Sequence, residues 1–336
     1  MIPSAAPPLR MLFWESTARC NLACAYCRRL ETEKADDELT TEQVQAVFQS
    51  AARLGPPVVV FSGGEPLLRD DWPILADFAH SLDLPIALAT NGTLIDTASA
   101  RRIAEAQFRR VSVSLDGATA AAHDALRGEG NFARALAGVE HLRLAGVKVQ
   151  FNVTVTRANA GQLDALAELA RKHQAEAMHL FLLVPVGCGA ELAPAQQLPP
   201  KDYLRVLEWV CGHQTDTGLE LRATCGPQVY RVASRRGLSP ARGRGCLCGR
   251  SVAFVSHRGE VFPCGYLPVR CGSVRETDFA TIWETSKVFA ALRDPNQLQG
   301  ACGRCDYKTL CGGCRARAFA ATGDWLAEDA SCPFLR

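Results

Sequence analysis

The sequence predicts an α/β protein: a partial (β/α)6 TIM-like barrel followed by a small, cysteine-rich C-terminal domain. Two observations predict it. Between Met11 and Val184, six short apolar runs alternate with five longer stretches whose apolar residues recur about every 3.6 positions. Beyond Gly245 regular patterning thins, and nine of the 15 cysteines crowd into the last quarter of the chain.

The strand candidates are residues 11–15, 58–61, 86–89, 111–115, 147–155 and 178–184. The helical patterns between them cover 41–54, 72–81, 97–107, 132–145 and 162–173. Thr40 or Thr41 with the following Glu and Gln marks a helix start, and Gly55-Pro56-Pro57 its stop. Parallel strands joined by right-handed crossovers curl toward a barrel, so the loops after each strand gather at one mouth. These units define a core over 10–186. A bridging region over 187–245 carries one helix near 202–211. The last stretch, 246–336, begins with a hairpin (252–256 and 260–262 around Arg258-Gly259), continues with two short helices near 279–293, and depends on metal staples rather than on a core.

A net charge of +2 gives no electrostatic case for nucleic acid or an anionic membrane surface. The longest apolar runs are far too short to span a bilayer. The first eight residues contain no apolar core of a signal peptide, so a cytoplasmic location is expected. In a reducing compartment, clustered cysteines bind metal or do redox chemistry rather than form disulfides.

The loop after the first strand reads Cys20-x3-Cys24-x2-Cys27. Three thiolates are one fewer than a closed four-iron cluster takes, which leaves one iron open to an outside ligand. The second strand leads into Ser62-Gly63-Gly64-Glu65-Pro66. Its glycines let backbone approach a ligand closely, and Glu65 could accept from an amine. The third strand ends in Thr90-Asn91-Gly92 and the fourth in Ser114-Leu115-Asp116-Gly117, while Asn152 lies within the fifth. Small polar groups therefore recur where successive strands reach one face.

Cys-x3-Cys-x2-Cys with Tyr26 before its last cysteine, followed by G-G-E-P, T-N-G and S-L-D-G, resembles the radical S-adenosylmethionine (SAM) superfamily. The resemblance implies that Cys20, Cys24 and Cys27 hold a [4Fe-4S] cluster whose open iron chelates SAM. One electron then cleaves the sulfonium and releases a 5′-deoxyadenosyl radical that takes hydrogen from substrate. It also implies that Gly63, Gly64 and Glu65, with Pro66, face the SAM amine. Thr90, Ser114 and Asn152 would contact its ribose or carboxylate, with Tyr26 and Asn91 in the same pocket.

Cys302-x2-Cys305-x5-Cys311-x2-Cys314, preceded by Cys246-x12-Gly259-x4-Cys264, resembles the SPASM extension of these enzymes, which holds one or two auxiliary clusters. By that resemblance Cys302, Cys305, Cys311 and Cys332 form one. Cys246, Cys264 and Cys314 form the other, with an open position or Cys271 as fourth ligand, and Cys248 competes with Cys246. A zinc ribbon would separate its two C-x2-C pairs by more than five residues. Cys188, Cys211 and Cys225 read as small packed residues.

Phe13–Thr17, Ala223–Gln228, Pro263–Pro268 and Cys311–Ala318 resemble a haem-biosynthesis group that decarboxylates or removes side chains of iron porphyrins. Val186-Gly187-Cys188-Gly189 departs from it, standing where the group tends to carry Gly-Arg. The arginines from Arg231 through Arg235, Arg236, Arg242 and Arg244 to Arg250 either suit porphyrin carboxylates or form a solvated loop. His179 and His257 receive no role. The expected partners are an iron porphyrin, or alternatively a peptide, and a reductant such as ferredoxin or flavodoxin. The competing readings are a radical SAM peptide maturase and a non-enzymatic metal scaffold.

Overall fold

A computed structural model describes residues 6–29, 37–214, 218–238 and 245–335. The first five residues and the arginines at 242 and 244 lie outside the described residues. The strands are β1 (Met11–Glu15), β2 (Val58–Ser62), β3 (Ile86–Thr90), β4 (Val111–Ser114), β5 (Val149–Val155), β6 (Ala177–Leu182), β7 (Glu220–Thr224), β8 (Val252–Val255), β9 (Glu260–Phe262) and β10 (Gly272–Ser273). The helices along the barrel are α1 (Thr41–Ala52), α2 (Trp72–Ser81), α3 (Thr97–Glu105), α4 (Ala120–Arg127), α5 (Asn131–Leu144) and α6 (Leu163–Lys172). They continue as α7 (Cys188–Gln196), α8 (Pro200–Gly212), α9 (Val229–Arg235), α10 (Phe279–Thr285), α11 (Lys287–Arg293), α12 (Gly300–Arg304) and α13 (Arg315–Thr322).

All ten strands form one sheet in the order β10-β9-β8-β1-β2-β3-β4-β5-β6-β7. The six expected β/α units are present, with β1 to β6 parallel and in sequence order. The sheet extends past both expected edges. β7 comes from the bridging region and pairs parallel to β6. Its sequence, ELRAT, offers one buried apolar residue, too little for a periodicity signal. β8, from the expected hairpin, pairs parallel to β1 and covers an edge that would otherwise present unpaired backbone.

Side chains alternate across the strands. Leu12, Trp14, Phe61, Val113, Phe151, Val153 and Leu180 are buried against the helices in one continuous core. Trp14 meets Phe48 and Phe61 edge-on, with centroids 5.6 and 5.2 Å apart. Thr40 caps α1 as expected: its hydroxyl accepts from Gln43 N, and Gln43 Oε1 accepts from Thr40 N. Residues of the opposite parity stay half-buried on the other face. Through the strand register, Ser114, Asn152, His179 and Arg222 form one row across β4, β5, β6 and β7.

α4 was not expected, because Ala-rich AAAHDALR has too few large apolar residues to show a stripe. α7, α12 and α13 also arise where only loops and cysteines were legible. A second, smaller core of Val184, Val186, Leu267, Leu292 and Ala316 packs around Cys248 and Cys314. Among the described residues, no helix is long and apolar enough to cross a membrane.

Candidate active site and cysteine clusters

The loop carrying Cys20, Cys24 and Cys27 leaves the C-terminal end of β1 and runs against the loop after β2. Gly64 N donates to Thr17 O at 2.7 Å, and Glu65 N to Arg19 O at 2.8 Å. A Cβ on Gly64 would lie 2.2 Å from Arg19 O, and one on Gly63 would lie 2.8 Å from Thr17 O. The glycines let the backbone that leads into Cys20 pass close against them.

Glu65 is held by the protein itself. It is fully buried, and three protein donors take its carboxylate. Oε1 accepts from Thr90 Oγ1 at 2.8 Å and Leu67 N at 3.3 Å, and Oε2 accepts from Asn91 N at 2.8 Å. Asn91 Nδ2 in turn donates to Asn21 Oδ1 at 2.8 Å, and buried Pro66 opens the short turn that follows Glu65. Glu65, Thr90 and Asn91 thus bolt three loops together beneath the cysteine triplet. Ser114 and Asn152 remain in the half-buried row, with Asn152 Oδ1 accepting from Gln150 Nε2 at 2.6 Å.

Burial pushes the Glu65 carboxyl up to about 7, against the pull of its donors. A folded pKa above the unfolded one means the folded state binds the extra proton. Stability therefore falls as pH rises from about 4.5 to about 7. A Glu65→Gln variant should lack this dependence, which spans on the order of 3 kcal/mol in the parent. At pH 5 the variant should still lose about 1–3 kcal/mol, because the amide cannot serve every donor. Urea midpoints across that pH range check both; a parallel pH dependence in variant and parent would contradict the assignment.

The sequence reading missed the group under Cys24. Arg127, at the end of α4, is buried and donates Nε to Asp116 Oδ2 and Nη2 to Tyr26 Oη. Tyr26 Oη donates to the same Asp116 oxygen. Arg127 Nη1 reaches Cys24 Sγ at 3.7 Å. Asp116 is itself held by Thr154 N at 2.6 Å. Burial pushes the Cys24 thiol up to about 11, and the Arg127 charge opposes that rise. A buried cation thus waits beside a sulfur that must become an anion. Asp116 and Tyr26 lay inside quoted motifs; their partner lay in the helix without a stripe. Cys188 N donates to Cys27 O at 2.9 Å, so the departing Val186–Gly189 segment packs on this loop.

At the same end of β1, buried Glu15 ties the hairpin to the triplet loop. It takes His257 Nδ1 at 2.8 Å and lies 3.8 Å from Arg28.

In the C-terminal region, Cys302, Cys305, Cys311 and Cys332 line one cavity of about 440 Å³, part of it open to solvent. This is the quartet expected for one cluster. Donors aim at its sulfurs: Arg315 Nη2 at Cys302 (3.6 Å), Tyr307 N at Cys305 and Gly313 N at Cys311 (both 3.4 Å). Arg231 Nη1 reaches Cys305 Sγ at 3.7 Å, with its guanidinium 4.2 Å from the Phe334 ring centroid and 5.1 Å from that of Tyr307. Arg231 therefore lines this cavity, and Arg236 pairs with Glu208 at 3.8 Å. Such a donor set fits an anionic thiolate cluster. No three His, Cys, Asp or Glu among the described residues close tightly enough for a single ion; these thiols ring a space.

The other group also holds Cys246, Cys264 and Cys314, with Cys248 hydrogen-bonded to both Cys246 and Cys264. Cys271, one of the two options for the fourth position, turns its thiol to Val269 O at 3.7 Å. Cys225, read as a packing residue, hydrogen-bonds Cys314. Cys211 is buried in the main core as expected. Beneath both groups, fully buried Asp329 accepts from Cys314 N at 2.8 Å, Gln228 Nε2 at 2.7 Å and Arg317 Nη2 at 3.0 Å.

Comparison with known proteins matches residues 14–170 to the radical SAM superfamily and 246–314 to SPASM, an iron–sulfur cluster-binding domain. The chain belongs to the radical SAM superfamily and is an enzyme whose cofactors are SAM and [4Fe-4S] clusters. Within it, the chain is 43% identical to the AdoMet-dependent heme synthase of Methanosarcina barkeri, over 96% of both chains. It is 34% identical to the pre-heme d1 synthase of Dinoroseobacter shibae, covering 97% of this chain and 86% of that one. Streptococcus suis SuiB, solved with SAM bound, shares the fold at a TM-score of 0.78 and 18% identity, covering 97% of this chain and 77% of SuiB.

Proposed function

We propose that this enzyme modifies the carboxylate-bearing side chains of an iron porphyrin, decarboxylating or removing them in haem biosynthesis. The carrying observation is the 43% identity to a heme synthase along nearly the whole chain, against 33% to a mycofactocin maturase of Mycobacterium ulcerans over 92% of this chain and 17% to SuiB, solved bound to its precursor peptide. When bound, the cluster and SAM supply a 5′-deoxyadenosyl radical.

The chain's own residues then have defined tasks. Cys20, Cys24 and Cys27 hold the radical-generating cluster, and Arg127 offsets thiolate charge at Cys24. Ser114 and Asn152 orient SAM from the half-buried row, while Glu65, Thr90 and Asn91 hold the loops around it in register. Cys302, Cys305, Cys311 and Cys332 hold an auxiliary cluster, with Arg231 and Arg315 supplying positive charge. A low-potential donor such as ferredoxin or flavodoxin supplies the electron.

The test is mass spectrometry of an iron porphyrin bearing propionates, incubated with reconstituted enzyme, SAM and dithionite. Decarboxylation to vinyl removes carbon dioxide and two hydrogens per side chain. One hydrogen ends in 5′-deoxyadenosine, one proton goes to solvent, and the electron given up by the substrate radical would pass to an oxidised iron–sulfur cluster, the class of acceptor that the C-terminal cysteines would hold. Formation of 5′-deoxyadenosine with porphyrin bound but its mass unchanged would overturn the substrate and leave the SAM chemistry standing.

A further inference from the structure

We propose that Cys225, at the end of β7, is a cluster ligand, completing the second C-terminal site together with Cys246, Cys264 and Cys314. The thiols there gather in one place: Cys225, Cys246 and Cys264 pack against the small core that holds Cys248 and Cys314, whereas Cys271 packs against the main core. Cys225 hydrogen-bonds Cys314, and Cys248 hydrogen-bonds Cys246 and Cys264. Cys225 is the only member contributed from outside residues 246–336, arriving on a strand of the main sheet. The Cys271 thiol turns instead to a backbone carbonyl.

The backbone at Cys225 supplies an independent argument. Five non-glycine residues among those described have positive φ: Asp37, Asp83, Gln107, Gln174 and Cys225. The other four are exposed Asp or Gln residues, the polar type that tolerates this conformation. Cys225, at φ 55°, is alone in being semi-apolar and packed inside. Glycine would adopt this geometry freely and stands next door as Gly226. A thiol kept in a strained position, at a cost of roughly 1–3 kcal/mol, marks a side chain that is needed there. With Cys225 as ligand, the cluster bolts β7 to the C-terminal region. Cys248 is then the spare thiol, an S–H donor to its two neighbours.

The inference rests on reading the C-terminal cysteines as cluster ligands and is independent of the porphyrin assignment. The decisive variants are Cys225→Gly, which relaxes the backbone while removing the sulfur, and Cys225→Ser, which keeps an oxygen ligand. Full-length protein, reconstituted anaerobically, is assayed for iron, sulfide and the low-temperature EPR of the reduced clusters. The parent should carry about twelve irons per chain. Cys225→Gly should elute as the folded parent does and lose about one to four irons, with one EPR component gone. Cys225→Ser should shift that component's g-values. Full iron and a parental EPR spectrum in either variant overturns the proposal, as does a parent with about eight irons and no signal from this site. If Cys225→Gly does not fold, the Cys225→Ser spectrum decides. Formation of 5′-deoxyadenosine in the same samples reports the triplet cluster separately.

Discussion

Reduced with dithionite in the presence of SAM, a Cys24→Ala variant forms no 5′-deoxyadenosine, whereas the parent chain does. The reason lies in the ligand count. Cys20, Cys24 and Cys27 are already one short of a closed four-cysteine set, and a further loss leaves two thiolates for four irons. Cys24 is also the sulfur that Arg127 reaches, so its removal leaves that buried guanidinium facing a methyl group. The C-terminal cysteines are untouched. Iron should therefore fall by about four per chain, not to zero. Product analysis by liquid chromatography, with iron counted on the same sample, makes the check. Product formed by the variant at the parental rate would remove the triplet from the radical chemistry.

Asp329→Ala costs about 3–5 kcal/mol of stability, the largest loss expected from a single change outside the cysteines. Its carboxylate lies wholly out of solvent and takes charged and neutral donors from the starts of α9 and α13. Burial pushes the Asp329 carboxyl up, but Arg317 and the other donors outweigh it and hold it below the usual carboxylate range. Alanine leaves the buried Arg317 cation without its anion and Cys314 N without its acceptor. The loss is read as a lower urea midpoint at unchanged slope, under anaerobic conditions. An Arg317→Met change on top of Asp329→Ala should recover part of it, since removing both charges is cheaper than stranding one. The sign with pH follows from a depressed carboxyl pKa. The stabilisation is complete above the ordinary value of 3.8 and disappears as pH falls through the lower folded value. The gap between parent and variant should begin to narrow as pH falls below 3.8; a gap that stays the same across the whole acid range would contradict the ion pair.

Much of the barrel is legible before folding. Parallel strands covered by helices read as short apolar runs, and β1 to β6 lie where those runs fall, to within about two residues. Thr40 and Gln43 announce the start of α1 by local chemistry alone. β7 and α4 are not legible, since a short polar strand and an alanine-rich helix show little periodicity. Their residues nevertheless reach the cysteines: Arg127 lies against Cys24, and Cys225, just past β7, lies against Cys314.

The spacing of the cysteines by itself set apart two thiol-rich regions, at 20–27 and from 246 onward; the grouping of Cys302, Cys305, Cys311 and Cys332 came from the resemblance to SPASM, and the fold brings those four to one cavity. Spacing can do this because ligands within a short loop are tied to one another by chain length. Only the tertiary structure decided which neighbours those cysteines meet. It set Glu65 as a buried brace among three loops, placed Arg231 on the wall of the C-terminal cavity, and brought Cys225 to Cys314 across 89 positions. A buried charge or thiol is defined by what surrounds it. At such sites the surroundings come from strands and helices far apart in the chain, where no local pattern records them.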